Sequence, residues 1–386
     1  MNHFFGYYGI NPWDPSGRFH LALATDFDRR PPMPEDQAIV GLVDGESGAF
    51  SEVSRTRAFN FQQGSMLHWI NTDRGVEFTH NIWEKGLALT KAINLADRSS
   101  RLIGSAIAAI SPDGTKAMGL NYARMYHCRS VVGYANEMDP ITFVAAPEDD
   151  GLYRIDLATG VAELVVSIAQ VLRSAGAYED VVGKEAAPAG GANAGRANAG
   201  RAWFNHVMFN TDGSRLLFFC RYRHPDGSTR SSLWTVNPDG SDLQLQIGFD
   251  YKISHFAWQD EDTILISTDL LGKMQFFLGH DGRDDFVPIG EEVLPADGHA
   301  CFSSDRKLIL CDTYPDRHRN SELLIYEVAT NRKTSLGFFH SEEIFRGDIR
   351  CDLHPRWTPD GRAITIDAVS DGERQIYLVD VSDLVS

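Results

Sequence analysis

The stretch Leu353-His354-Pro355-Arg356-Trp357-Thr358-Pro359-Asp360-Gly361 holds a hairpin turn and, seven positions before the last turn residue, a histidine. In Thr358-Pro359-Asp360-Gly361 the proline presets φ, the aspartate caps its own backbone and the glycine accepts a positive φ, which is the chemistry of a tight turn between strands. Six related turns punctuate the chain: Asp14-Pro15-Ser16-Gly17, Asn71-Thr72-Asp73-Arg74, Ser111-Pro112-Asp113-Gly114, Asn210-Thr211-Asp212-Gly213, Gln259-Asp260-Glu261-Asp262 and Ser303-Ser304-Asp305-Arg306. After most of them a further strand ends in its own turn, as Leu233-Trp234-Thr235-Val236 does before Asn237-Pro238-Asp239-Gly240. Units of roughly 40–60 residues with four short strands each are propeller blades. The reading is therefore an all-β, seven-bladed β-propeller over residues 1–386 as a single domain.

Two stretches break the rhythm. Residues 168–182 have helical spacing, and 183–201 form a Gly/Ala tract in which Ala192-Asn193-Ala194-Gly195-Arg196 recurs as Ala197-Asn198-Ala199-Gly200-Arg201. A tract of that composition buries no core and reads as a flexible loop between blades three and four.

Composition narrows the partners. Hydrophobic residues make up 43% and charged residues 23%, enough apolar material for a large core. A net charge of −17, with a pI near 5.1, argues against a nucleic-acid or anionic-membrane partner. An acidic substrate would then need a local basic pocket. The five cysteines lack C-x-x-C spacing, the start Met1-Asn2-His3-Phe4-Phe5-Gly6 lacks the pattern of an export signal, and no apolar run approaches the roughly 20 residues of a membrane span. Together these point to a cytoplasmic protein with free thiols.

Aligning the seven turns exposes the functional signal. Four consecutive blades place a histidine seven positions before the last turn residue: His206, His255, His299 and His354; the first three blades have Ile10, Leu67 and Ile107 there. The innermost strand of a blade lines the channel, so a fixed offset from the inner hairpin is a fixed height, at about 3.3 Å per residue. The four imidazoles are expected to meet near one mouth. Loops expected at that mouth carry Tyr122, Arg124, Arg129, Tyr134, Arg221, Tyr222, Arg223, Arg230 and Arg317. Asp297-Gly298-His299 and Asp352-Leu353-His354 each place an aspartate two residues before a histidine, on the same strand face. Two such strands suit mixed nitrogen and oxygen ligation of a divalent ion such as Mn²⁺. The competing reading is a pair of hydrogen-bonded braces between blades.

Ser254-His255-Phe256-Ala257-Trp258, Asp297-Gly298-His299, the stretch His354 to Gly361 and the stretch Leu233 to Gly240 resemble the oligogalacturonate lyase family, most clearly over residues 203–386. Asn60-Phe61-Gln62-Gln63-Gly64-Ser65-Met66-Leu67 is similar to a stretch of other propeller lyases acting on uronates, including ulvan lyases. The main resemblance implies a seven-bladed propeller that binds Mn²⁺, with Ca²⁺ as the alternative, and cleaves digalacturonate by β-elimination inside the cell. By position it assigns His255 as the catalytic histidine and His299 and His354 as metal ligands. Asp352 stands where the family has another histidine, Arg350 lies near its glutamine ligand, and Ser232 replaces its catalytic arginine, with Arg230 two residues earlier. These departures point to a divergent subgroup, with rhamnosyl-glucuronate or ulvan oligosaccharides as alternative substrates.

β-Elimination beside a uronate carboxylate must acidify the C5 proton, which a metal or arginines achieve by neutralising the carboxylate. The acid and base candidates are His255, His206, Tyr134 and Arg230. Arg124, Arg221, Arg223, Tyr222 and Arg350 are expected to bind the acidic oligosaccharide, and His299, His354 and Asp352 to hold the metal. The rival from another class is a non-catalytic binding propeller of the TolB kind. A propeller peptidase or glycosidase lacks, respectively, a nucleophile elbow and an evident carboxylate pair.

Overall fold

The computed structural model describes residues 1–136, 144–183, 200–224 and 226–384. Its strands form seven antiparallel sheets. Blade one comprises Asn2–Phe4, Phe19–Thr25, Ala38–Asp44 and Phe50–Thr56; blade two His68–Thr72, Gly75–Glu84, Leu87–Asn94 and Ser100–Ile103. Blade three comprises Ile107–Ile110, Ala117–Gly119, Gly151–Ile155 and Ala162–Ser167; blade four Ala202–Phe209, Leu216–Arg223, Thr229–Val236 and Gln244–Ile247. Blade five holds Ile253–Trp258, Thr263–Thr268, Gln275–His280 and Val287–Pro288; blade six Ala300–Phe302, Leu308–Asp312, Asn320–Glu327 and Arg332–His340. Blade seven has three strands among the described residues: Arg356–Trp357, Ala363–Ala368 and Gln375–Asp380. The fold is thus a seven-bladed all-β propeller, as the turn pattern predicts.

The turn chemistry operates as read. Gly17, Gly114, Gly213, Arg306 and Gly361 each donate their backbone N–H to the carbonyl three residues earlier. Asp113, Asp212 and Asp360 accept the N–H two residues on. The helical spacing over 168–182 forms two short helices, Ile168–Ser174 and Tyr178–Val182; most of the Gly/Ala tract, 184–199, lies outside the described residues. No helix among the described residues is long and apolar enough to cross a membrane. All five cysteines are free, and four of them are buried.

Blades pack face to face, so their middle strands are apolar on both sides. In Leu216–Arg223, Leu216, Phe218 and Cys220 join the cluster shared with the earlier blades, while Leu217 and Phe219 pack on Ile253, Phe256 and Trp258 of blade five. That two-sided burial explains the uninterrupted run Leu216-Leu217-Phe218-Phe219-Cys220. The ring closes through Asp367 of blade seven. Its carboxylate accepts the backbone N–H groups of Phe5 and Gly6 and pairs with the buried Arg356 at 2.8 Å.

Blade two carries two buried neutral histidines. Burial pushes His68 down to about 3, and burial with Lys91, opposed by a bond to the Asn81 carbonyl, brings His80 to about 4. The folded pKa values lie below the unfolded value of about 6.5, so their contribution is complete above that pH and is lost as pH falls below it. Going from about pH 7.5 to about pH 5.5 is expected to lower the unfolding free energy by roughly 3 kcal/mol from these two groups. Urea unfolding across that range tests this; a pH-independent stability would refute it.

Candidate catalytic and metal centre

The inner strands are irregular where the histidines sit. In blade four the pairing steps from Asn205↔Phe219 to Met208↔Leu217, and in blade five from Ile253↔Thr268 to Phe256↔Ile266, so each inner strand carries one extra residue. A bulge re-aims the side chain next to it, here His206 and His255. His206 and His354 also adopt positive φ, 54° and 43°, a conformation that non-glycine residues keep only where their surroundings impose it. In blade six, Gly298 precedes His299 because a Cβ there would lie 2.0 Å from the Asp312 carbonyl oxygen.

The four histidines converge. Ring centroids are 6.4 Å apart for His206 and His255, 4.1 Å for His255 and His299, and 4.2 Å for His299 and His354. Tyr8 reaches all four, at 6.2, 5.5, 5.1 and 6.0 Å in chain order. The neighbouring Tyr7 hydroxyl lies 2.7 Å from His206 Nδ1. Both tyrosines enter on an excursion of blade one's inner segment bracketed by Gly6 and Gly9, at φ 92° and 75°. The rings line a cavity of about 460 Å³ together with Arg129, Arg221, Arg230, Tyr314 and Arg350.

Each central histidine has a carboxylate behind it. His255 Nδ1 lies 2.9 Å from Asp297 Oδ1, and Ser254 Oγ donates to the other oxygen at 2.7 Å. Burial would raise the Asp297 pKa, but His255 and Ser254 outweigh it and hold the group at about 2. An ionised carboxylate only accepts, so the proton of His255 sits on Nδ1 and Nε2 presents a lone pair. Burial, then His299, keeps the His255 pKa below its ordinary value, so the ring is neutral at neutral pH.

His299 Nδ1 likewise faces Asp312 at 2.9 Å, and Asp312 also accepts the backbone N–H groups of His299 and His354. This leaves His299 Nε2 turned toward Asp352, whose Oδ2 is 3.9 Å from both His299 Nε2 and His354 Nε2. One ligand atom from each of His299, Asp352 and His354 falls within 4.8 Å of the others. Burial lowers the His299 pKa, but Asp312 and Asp352 outweigh it and the net shift is upward. The negative field that holds a proton there equally favours a cation. Two imidazoles and a carboxylate, one imidazole oriented from behind by Asp312, fit a divalent transition ion. Arg350 Nε donates to Asp352 Oδ2 at 2.6 Å, fixing the carboxylate beside the cavity.

Neither Arg221 nor Arg129, both of which line the cavity, forms an ion pair among the described residues. Arg221 is buried with its guanidinium 4.5 Å from the Phe219 ring centroid, and its Nε has no hydrogen-bond partner among the described residues. Burial, then Arg129, lowers the Arg221 pKa; burial, then Arg350, lowers that of Arg129. Desolvated, mutually repelling guanidinium groups favour an entering anion.

Several expected site residues lie elsewhere. Tyr134 is fully buried, stacked on Tyr122 at 4.3 Å and bonded to Asn81, and does not line the cavity. Arg124 is buried, with Nε donating to the Ala202 carbonyl, and supports the fold rather than facing the cavity. On the strand Leu216–Arg223 side chains alternate, so Arg221 faces the cavity while Tyr222 packs on Phe249; neither Tyr222 nor Arg223 lines the cavity. Arg317 instead donates to the neighbouring His318. Asp297, weighed as an alternative ligand oxygen, belongs to His255. Ser232 is buried, accepting the Trp234 indole N–H, whereas Arg230 two residues earlier does line the cavity. Tyr7, Tyr8, Asp312 and Tyr314 were missed. The only local hint was Gly6-Tyr7-Tyr8-Gly9, two glycines around two aromatics.

No protein-family model and no curated protein matches the chain. Among solved structures it is similar to an oligogalacturonate lyase in complex with manganese, at TM-score 0.68 and 14% identity over 98% of this chain and 90% of that one. It is also similar to an oligogalacturonate lyase from Vibrio parahaemolyticus, at TM-score 0.64 and 15% identity over 98% and 91%. The tricorn protease shares the architecture at TM-score 0.54 and 10% identity, over 98% of this chain and 34% of that one. At these identities the likeness establishes the propeller fold, which serves different chemistries.

Proposed function

We propose that the chain is a lyase that cleaves a uronate-containing oligosaccharide by β-elimination. The observation that carries this reading is one cavity lined by a histidine base, by the two imidazoles of the His299–Asp352–His354 cluster and by Arg221 and Arg129, which form no ion pair among the described residues; together these meet the three requirements of the reaction. Arg221 and Arg129 bind the uronate carboxylate and offset the charge that develops on it as C5 loses its proton. His255, held by Asp297 so that its Nε2 carries the lone pair, removes that proton. Arg230, at the cavity edge and 3.8 Å from Asp226, anchors a neighbouring sugar or the leaving group. His299, Asp352 and His354 would hold the divalent ion, Mn²⁺ in our reading, and the ion would supply Lewis-acid polarisation of the carboxylate. The fold of the manganese-bound oligogalacturonate lyase supports the assignment.

A panel of acidic oligosaccharides assayed for the ultraviolet absorbance of a 4,5-unsaturated uronate tests the reading. Product from at least one of them is expected, and none from any would overturn it. Calorimetric titration with Mn²⁺ tests the cluster separately: one site is expected, weakened roughly 10- to 100-fold or more in Asp352→Ala. Unchanged affinity in that variant would place the ion elsewhere.

A further inference from the structure

Tyr314 follows the Leu308–Asp312 strand of blade six by two residues, is 38% exposed and lines the cavity. Its hydroxyl is 3.5 Å from His255 Nε2, the atom that Asp297 leaves unprotonated. The Arg350 guanidinium lies 5.7 Å from its ring centroid, and its ring meets that of His299 edge-on at 5.6 Å. A phenol held beside the lone pair of a base, in the wall of the same cavity, is a proton donor next to a proton acceptor.

We propose that Tyr314 is the acid of the elimination, and that with His255 it forms a relay working on one face of the C4–C5 bond, so that the preferred substrate is a 4-linked glucuronate. The proposal rests on the lyase reading above. His255 Nε2 takes the C5 proton, the C5–H electron pair becomes the C4=C5 double bond, the C4–O4 bond breaks, and O4 takes the Tyr314 proton. The resulting phenolate recovers a proton from the His255 imidazolium across their contact, so both groups are restored and no other reactant is consumed. The spacing selects the stereochemistry. Base and acid on opposite faces of the bond would stand on the order of 6 Å apart, two hydrogen-bond reaches. At 3.5 Å they serve a proton and a leaving oxygen on the same face. Glucuronate presents H5 and O4 in that way, whereas galacturonate presents them on opposite faces.

The test uses the full chain supplied with Mn²⁺ and two matched substrates, a 4-linked glucuronate oligosaccharide and a 4-linked galacturonate oligosaccharide. The parent is expected to turn over the glucuronate faster. Tyr314→Phe should lose about 10²-fold in kcat, keep the parent's melting temperature, and still exchange the C5 proton of unreacted substrate with D₂O, because its base is intact. Faster cleavage of the galacturonate overturns the same-face assignment. Full elimination by Tyr314→Phe, or loss of C5 exchange in step with elimination, overturns the role of Tyr314. If the parent forms no unsaturated product from any uronate, the lyase reading fails and takes this proposal with it, an outcome recognised without any variant.

Discussion

Replacing His255 with alanine is expected to lower elimination by about 10² to 10⁴-fold, the usual cost of a lost general base, with little change in the thermal melt. His255 packs on the Tyr8, His299 and Tyr314 rings in the cavity wall rather than in the apolar layers between blades. Its partner Asp297 keeps the Ser254 hydroxyl and the Gly298 N–H after truncation, so stability should fall by roughly 1–2 kcal/mol at most. Asp297→Asn supplies the complementary test. An amide can donate to Nδ1 and so move the ring proton to Nε2, removing the lone pair while leaving the imidazole in place. Activity should therefore fall in this variant as well. Steady-state kinetics on whichever uronate the panel identifies, beside a melt of each variant, separates turnover from folding. Near-parental activity in His255→Ala would remove the base from the mechanism.

Asp367→Ala is expected to produce the largest loss of stability, roughly 3–5 kcal/mol, because it leaves the buried Arg356 cation without its counter-charge. It also orphans the Phe5 and Gly6 amides at the junction of blades seven and one. Changing Asp367 to Ala and Arg356 to Met together should recover part of the loss, since the unpaired charge disappears while the orphaned amides remain. Urea unfolding of the parent, the two single variants and the double variant measures both terms. An Asp367→Ala protein as stable as the parent would show that the first and last blades are joined mainly by apolar packing. The Tyr7-Tyr8 excursion begins directly after the Gly6 amide held by Asp367. The same variant should therefore also lose activity under conditions where it remains folded.

What could be read along the chain was whatever has a local cause. A hairpin turn is specified by four consecutive residues, so the repeat of Pro, Asp and Gly disclosed the blades even where only Asp and a polar neighbour remained, as at Ser303-Ser304-Asp305-Arg306. Counting back from those turns found the four histidines, because strand rise converts a sequence offset into a height in the channel. Direction and partnership were a different matter. Arg124 and Arg221 both fall in segments leading to the mouth, yet the Nε of one donates to a backbone carbonyl and the Nε of the other has no hydrogen-bond partner among the described residues. That difference depends on which carbonyls the packed blades bring near each guanidinium. Asp297 reads as a metal-ligand oxygen beside the histidine two residues later but serves His255 of the preceding blade, while Asp312, thirteen residues after His299, orients that ring. Tyr8 reaches the centre of the histidines only because ring closure lays the N-terminal segment beside blade seven. The sequence by itself determined the blade repeat and the height of the histidines, both consequences of backbone chemistry within a few residues. Only the tertiary structure decided which oxygen stands behind each imidazole and which arginine turns into the cavity, since these are contacts between blades that no local pattern encodes.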